Sequence, residues 1–221
     1  MYFADCFEAL QNSQPDHDAI IFEGRTITYN EMISRAWQLG NGLLEMGIPR
    51  QERVGHIARN SPEFFDIFIG NCASGYATAG INWRLAGPEI QHLLNYTENS
   101  VLFVGKDFYN TIEAIEDNLT HVTHIFALDG GHDRWLDYPA WLDQQATSRP
   151  AVELHGDDDI LHLYTSGTTG LPKGVQLTNQ GYMNVFNGYV DNNILDAENT
   201  ATFINVMPLF HVGGVNLTVM P

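Results

Sequence analysis

The stretch LYTSGTTGLPKGV, residues 163–175, decides how the chain is read. Four serine and threonine hydroxyls, three glycines and one lysine stand between two apolar flanks. ILHLYT (160–165) reads as a strand running straight into the loop, and GVQLT (174–178) as a second strand leaving it. Such a loop suits oxyanions. Gly167, Gly170 and Gly174 allow positive φ and close approach of a ligand. Successive N–H groups in such a turn form an anion-binding nest. Thr165, Ser166, Thr168 and Thr169 add hydroxyl donors, and Lys173 brings a full positive charge to phosphate oxygens.

The pattern differs from the G-x-x-x-x-G-K-[ST] phosphate loop, which leads into a helix. Here Lys173 follows Pro172, precedes Gly174 and leads into a strand, which weighs against kinase-like and GTPase-like readings. A flexible polar hairpin would account for GTTG alone. The eight fixed residues of T-S-G-T-T-G-x-x-K-G would arise by chance at roughly 10⁻¹⁰ per start, taking ~6% usage each. The full string therefore outweighs a generic turn.

Outward from the loop, strands alternate with helices. DAIIF (18–22) and TITY (26–29) read as strands around a Glu23-Gly24 turn. Thr28-x-x-Glu31 is a capping box for a helix that runs to about Met46 and ends at Gly47. RVGHIA (53–58) is a strand, and Ser61-Pro62-Glu63 opens a helix with Ser61 as N-cap. FFDIFIGNCASG (64–75) is apolar nearly all round, so that helix is expected to be buried, with Cys72 as a small hydrophobe. ATAGI (77–81), VLFV (101–104) and HIFAL (124–128) read as strands, with helices from Gly87 to about Glu98 and over 107–118. Residues 129–158 read as surface loop with one short helix near 138–146. Beyond the loop a helix is expected over roughly 179–191, a strand over 202–209 and a helix from near His211. This alternation argues an α/β fold with a mostly parallel sheet.

Composition narrows the function. The chain has 221 residues, 44% hydrophobic, and a net charge of −17, which weighs against nucleic acid. Its two lysines are Lys106 and Lys173, so the charge in the loop stands out. Two cysteines give no disulfide framework, and nine histidines show no metal-ligand spacing, so no protein-held metal is expected. No signal peptide and no apolar run near the ~20 residues of a membrane span is visible. The expected setting is cytoplasmic, with peripheral attachment to a membrane left open.

YTSGTTGLPKGV resembles the signature loop of the adenylate-forming superfamily: acyl-CoA synthetases, aryl-CoA ligases, luciferases and the adenylation domains of peptide synthetases. ITYNEM (27–32) is similar to that family's first core motif, and NCASGYATAGINWRLAGPEIQHLLNYTENSVLFV (71–104) to its second region. MPLFHVGGVN (207–216) resembles its motif at the acyl pocket. The likeness runs through the whole chain in family order.

The resemblance implies condensation of a carboxylate with Mg·ATP to acyl-AMP and pyrophosphate, then transfer to the thiol of coenzyme A. ATP, Mg²⁺ and coenzyme A are the implied co-substrates. Thr165, Ser166, Gly167, Thr168, Thr169 and Gly170 would wrap the β- and γ-phosphates, with Lys173 neutralising them. His211 would lie beside the reacting carboxylate. Amino-acid-activating relatives carry an Asp where His211 follows Phe210, so a fatty acid is the favoured substrate, with an aryl acid as runner-up. A non-catalytic nucleotide- or partner-binding module is a further alternative. The implied fold is α/β: parallel-rich sheets flanked by helices, the N-terminal subdomains of the synthetase fold, truncated. Residues about 50–190 would form a first subdomain, and about 1–49 plus 195–221 an incomplete second. The later family motifs and the C-terminal lid domain have no counterpart in these 221 residues, so the chain by itself is expected to be catalytically incomplete and to expose apolar surface.

Overall fold

The computed structural model describes residues 1–166, 172–192 and 202–219. Helix α1 (Phe3–Ser13) precedes a hairpin of β1 (Asp18–Phe22) and β2 (Arg25–Thr28), paired antiparallel as a two-stranded sheet. Helix α2 (Tyr29–Glu45) starts at the capping box read from the sequence. The Glu31 amide donates to Thr28 Oγ1 at 3.2 Å, and the Thr28 amide to Glu31 Oε2 at 2.9 Å.

Then follow β3 (Arg53–Ile57), α3 (Glu63–Ser74), β4 (Ala77–Gly80), α4 (Gly87–Tyr96) and β5 (Asn99–Val104). The short α5 (Tyr109–Glu113), β6 (His124–Ala127), β7 (Leu136–Asp137) and α6 (Tyr138–Leu142) come next. The chain continues with β8 (Asp159–Ser166), β9 (Pro172–Thr178), α7 (Asn179–Asp191) and α8 (Val212–Val219). One seven-stranded sheet has the order β7-β6-β5-β3-β4-β8-β9, parallel throughout except where β9 returns antiparallel to β8. This is the α/β architecture expected from the sequence.

Helix α3 is the centre of the packing: every residue from Phe64 to Ser74 is buried. It meets α2 at a close crossing of two glycines. A Cβ on Gly70 would stand 2.5 Å from the Ala36 carbonyl, and one on Gly40 2.5 Å from Ser74 Oγ. Phe68 packs on Phe64 and Phe3, joining α1 to the same core, and Tyr182 of α7 packs on both Phe3 and Phe68. Buried side chains of this size contribute roughly 1.5–3 kcal/mol each.

One buried charge ties three helices. Asp66 of α3 accepts from Arg35 Nε at 3.0 Å, Arg35 Nη2 at 2.7 Å and the Tyr138 hydroxyl at 2.8 Å, all on one oxygen. Burial pushes its carboxyl up to about 6, against the pull of Arg35 and Tyr138.

Four expectations need correction. Ser61 is not a side-chain cap: α3 starts at Glu63, and backbone carbonyls of Ser61 and Pro62 close its first turn. The helix expected over 107–118 is broken into α5 and two single 3₁₀ turns. There the Asn95 carboxamide takes the Asn118 carbonyl at 2.8 Å and the Thr120 amide at 2.9 Å, satisfying backbone groups outside a helix. The strand expected over 202–209 does not form, and these residues pair with none of the described strands. Phe203, Ile204 and Val206 are exposed there, which is apolar surface of the kind the sequence predicts. The 129–158 region is more than surface loop: Trp135, Tyr138, Leu142 and Leu154 are buried in it.

Candidate functional site

In an open parallel sheet, loops gather outside the carboxyl ends of the strands, where ligands bind. Strands β3, β4 and β8 are adjacent and parallel, so their ends face one edge. Thr78 and Ala79 of β4 pair with Leu161 and His162 of β8. Strand β4 stops at Gly80, whereas β8 runs on to Ser166. Thr165 and Ser166, the last residues of β8, pair with Lys173 and Pro172 of β9. Lys173 is thus anchored on a strand at the mouth of the loop, and it is exposed. Gly167, Thr168, Thr169 and Gly170 lie outside the described residues.

The second half of the edge is the turn from Met207 to His211. Asn60, just beyond β3, donates from Nδ2 to the Met207 carbonyl at 2.8 Å and accepts the Leu209 amide on Oδ1 at 3.0 Å. Gly80 has no side chain to keep Phe210 away, and the two backbones touch. Gly214 is equally constrained: a Cβ there would fall 2.1 Å from the Pro208 carbonyl. The His211 amide donates to the Pro208 carbonyl at 3.1 Å, and the imidazole Nδ1 accepts the Gly213 amide at 3.2 Å. His211 is exposed at the entrance of α8, where the sequence reading places it. On α8 itself, Asn216 accepts the Tyr182 hydroxyl at 2.8 Å, tying the helix to α7.

Cations and aromatics surround this turn. Trp83, three residues past β4, meets Phe210 edge-on with centroids 6.0 Å apart. The Arg84 guanidinium lies 4.8 Å from the Trp83 ring and 5.7 Å from the Phe210 ring, and that of Arg59 lies 5.4 Å from Trp83. Arg59 is also paired with Asp107 at 2.5 Å. Motif reading gives no site role to Asn60, Arg59, Trp83 or Arg84, although the last two lie within the 71–104 stretch. The available signal was position: polar and aromatic residues immediately after parallel strands.

Burial shifts two ionisable groups on the strands that converge here. Burial pushes His56 of β3 down to about 4, so it is neutral at physiological pH. Burial raises the Tyr164 hydroxyl on β8. A cavity of about 370 Å³ opens at the opposite, amino-terminal edge of the strands, beside Ile48, Arg50, Tyr76 and His155. None of the site residues lines it, so it does not compete with the loop-bearing edge. Among the described residues, no cluster of three or more His, Cys, Asp or Glu is placed to hold a metal ion. None of their helices is long and apolar enough to cross a membrane.

The fold and this edge define an α/β protein with a hydroxyl- and glycine-rich loop after one strand and an imidazole-bearing turn packed on its neighbours. The chain belongs to the AMP-binding enzyme family, whose pattern it matches over residues 7–221. It is 35% identical to an indoleacetate–CoA ligase of Aromatoleum aromaticum over 94% of this chain and 40% of that one. It is 31% identical to a long-chain-fatty-acid–CoA ligase of Mycobacterium tuberculosis over 87% of this chain and 37% of that one. The chain thus spans about two fifths of the length of these relatives. Its fold superposes on an anthranilate CoA ligase in complex with anthranoyl-AMP, with a TM-score of 0.80 and 29% identity, over 85% of this chain and 36% of that one.

Proposed function

We propose that the chain is the amino-terminal, phosphate- and carboxylate-binding part of an ATP-dependent acid–CoA ligase. The observation that carries this is the shared edge: the Ser166–Pro172 loop mouth on β8 and β9, and the His211 turn packed on β4, the strand next to β8. Thr165, Ser166, Gly167, Thr168, Thr169, Gly170 and Lys173 would hold the β- and γ-phosphates of ATP, a donor set that fits oxyanions and little else. Mg²⁺ would arrive with the nucleotide, on phosphate oxygens.

The reaction of such an enzyme has two steps. A carboxylate oxygen attacks the α-phosphorus, a new P–O bond forms, and the bond to pyrophosphate breaks. The coenzyme A thiolate then attacks the acyl carbon and releases AMP. Hydroxyl, amide and ammonium donors set in place before reaction stabilise the charge that grows on the departing pyrophosphate. His211 would orient the carboxylate, with its Nε2 the ring nitrogen left for that contact.

The turn FHVGGV is apolar and carries no acidic residue, so an acid with an apolar body is favoured over an amino acid. A fatty acid is our first reading. An aryl acid is the second, supported by the names of the indoleacetate and anthranilate ligases. The span of the seven-stranded sheet, from Arg53 to Thr178, supports residues about 50–190 as one subdomain, with 1–49 and 195–221 as parts of another. Because the chain covers 40% of a relative's length, we read it as insufficient for turnover by itself.

The test is a binding and exchange panel. Mg·ATP is titrated into the chain, and carboxylate-dependent ATP–pyrophosphate exchange is measured with a fatty acid, an arylacetate and an amino acid. Weak nucleotide binding without exchange supports the reading. Steady exchange by this chain alone would refute the claim of insufficiency, and exchange with the amino acid alone would refute the substrate class.

A further inference from the structure

We infer that Asn60 is the positioning residue that fixes His211, an inference that rests on His211 meeting the substrate carboxylate. The carboxamide presents one donor and one acceptor in a single plane, and the turn uses both. Nδ2 donates to the Met207 carbonyl at 2.8 Å, and Oδ1 accepts the Leu209 amide at 3.0 Å. Between those two residues stands Pro208, which has no N–H to compete. Asn60 therefore satisfies the free backbone groups on both sides of Pro208 and pins the turn to the end of β3.

The constraint passes directly to His211. The Pro208 carbonyl, held between the two clamped residues, accepts the His211 amide at 3.1 Å. Phe210 lies against Gly80 and Trp83, a further contact between the turn and the end of β4. Asn205 braces the far side: its Oδ1 accepts the Met207 amide at 2.8 Å, and its Nδ2 donates to the Gly214 carbonyl at 3.1 Å. The Gly213 amide on His211 Nδ1 then assigns the ring proton to Nε2, as a donor on an exposed side chain. A donor in that position suits a carboxylate oxygen. No residue of the same size replaces Asn60: aspartate has two acceptors and would face the Met207 carbonyl with negative charge, and serine offers a single atom.

The test uses the ¹⁵N-labelled chain and amide hydrogen exchange. Asn60→Ala should speed exchange at Leu209 and His211 by at least about tenfold, with the amides of β3 and α3 unchanged. Asn60→Asp retains the acceptor alone, so it should restore protection at Leu209 and not at His211. Diethyl pyrocarbonate, read residue by residue, should modify His211 faster in Asn60→Ala, because the Gly213 amide no longer occupies Nδ1. Unchanged exchange at both amides overturns the inference. So does a uniform rise across the sheet, which would make Asn60 a stability residue only. If these results hold but His211→Ala leaves carboxylate binding unaltered, the clamp stands and the role of His211 in the proposed function falls.

Discussion

Gly80 and Phe210 meet backbone to backbone: a Cβ on Gly80 would stand 3.0 Å from the Phe210 Cα and 3.4 Å from its carbonyl oxygen. The obstacle is main chain, which cannot swing aside as a long side chain would. Gly80→Ala should therefore lift the Phe210–His211 turn off β4. Overpacking of this kind costs about 1–3 kcal/mol. Urea unfolding should show a stability loss of that order, with the largest amide shift changes at residues 208–211 and around Trp83. Shifts confined to β4 would disprove the coupling.

Arg35 and Asp66 give a second prediction. Asp66 is buried, and its oxygen takes three donors. Arg35→Ala removes two of them and leaves a carboxylate facing Tyr138 alone. Stranding one partner of a buried pair costs about 3–5 kcal/mol, and a value near 3 is expected because the Arg35 side chain is 31% exposed. The double variant Arg35→Met/Asp66→Leu should recover part of that loss, since no charge remains to desolvate, but the buried Tyr138 hydroxyl loses its acceptor at a cost of about 1–3 kcal/mol. A double variant no more stable than Arg35→Ala would show that shape, not charge, dominates the site.

The pH dependence of stability should split into two opposing parts. His56 has its pKa lowered from 6.5 to about 4 by burial, so between those values the unfolded chain binds a proton that the folded one refuses. Its contribution is complete above about 6.5 and is lost as pH falls, amounting to about 3 kcal/mol by pH 4. Asp66 has its pKa raised from 3.8 to about 6, again by burial. Here the folded chain binds the extra proton, so stability rises as pH falls from 6 to 4. Relative to the parent, His56→Phe should be more resistant to acid over pH 6.5–4, and Asp66→Asn more sensitive. Denaturant midpoints measured at pH 4, 5, 6 and 7 decide it. Parallel curves for all three proteins would sink both assignments.

What could be read from the sequence was what short range decides. The Thr28–Glu31 capping box spans three residues, and it forms as its residue types require. The apolar circumference of FFDIFIGNCASG has one stable solution, burial on all sides, and α3 adopts it. Failures came where a distant residue settles the outcome. TFINV has strand composition, but a strand needs a neighbour to bond, and these residues pair with none of the described strands. Residues 107–118 have helix composition, yet α5 ends at Glu113, and the segment after it is tied to the distant Asn95 through Asn118 and Thr120. In the site, the loop and His211 announce themselves as motifs. Asn60 does not, because its partners are 147 and 149 residues away and it is visible only once β3 and the turn share an edge.

The two ends of the site should be separable by substitution. Lys173 sits on β9 opposite Thr165, and His211 opens α8 on the turn packed against Gly80, so each is carried by its own element. A charge-assisted contact to phosphate contributes about 1.5–3 kcal/mol. Lys173→Ala should thus weaken Mg·ATP binding roughly 10- to 100-fold while leaving carboxylate affinity within about twofold. On the proposed role of His211, His211→Ala should do the reverse, because orienting the carboxylate requires no contact with the β- and γ-phosphates. Lys173→Arg should restore only part of the nucleotide affinity, since a planar fork does not reproduce the compact ammonium. Calorimetric titration of each variant with nucleotide and with fatty acid reads both affinities. If Lys173→Ala and His211→Ala weaken both ligands equally, the loop and the turn form one coupled pocket, and the assignment of separate roles fails.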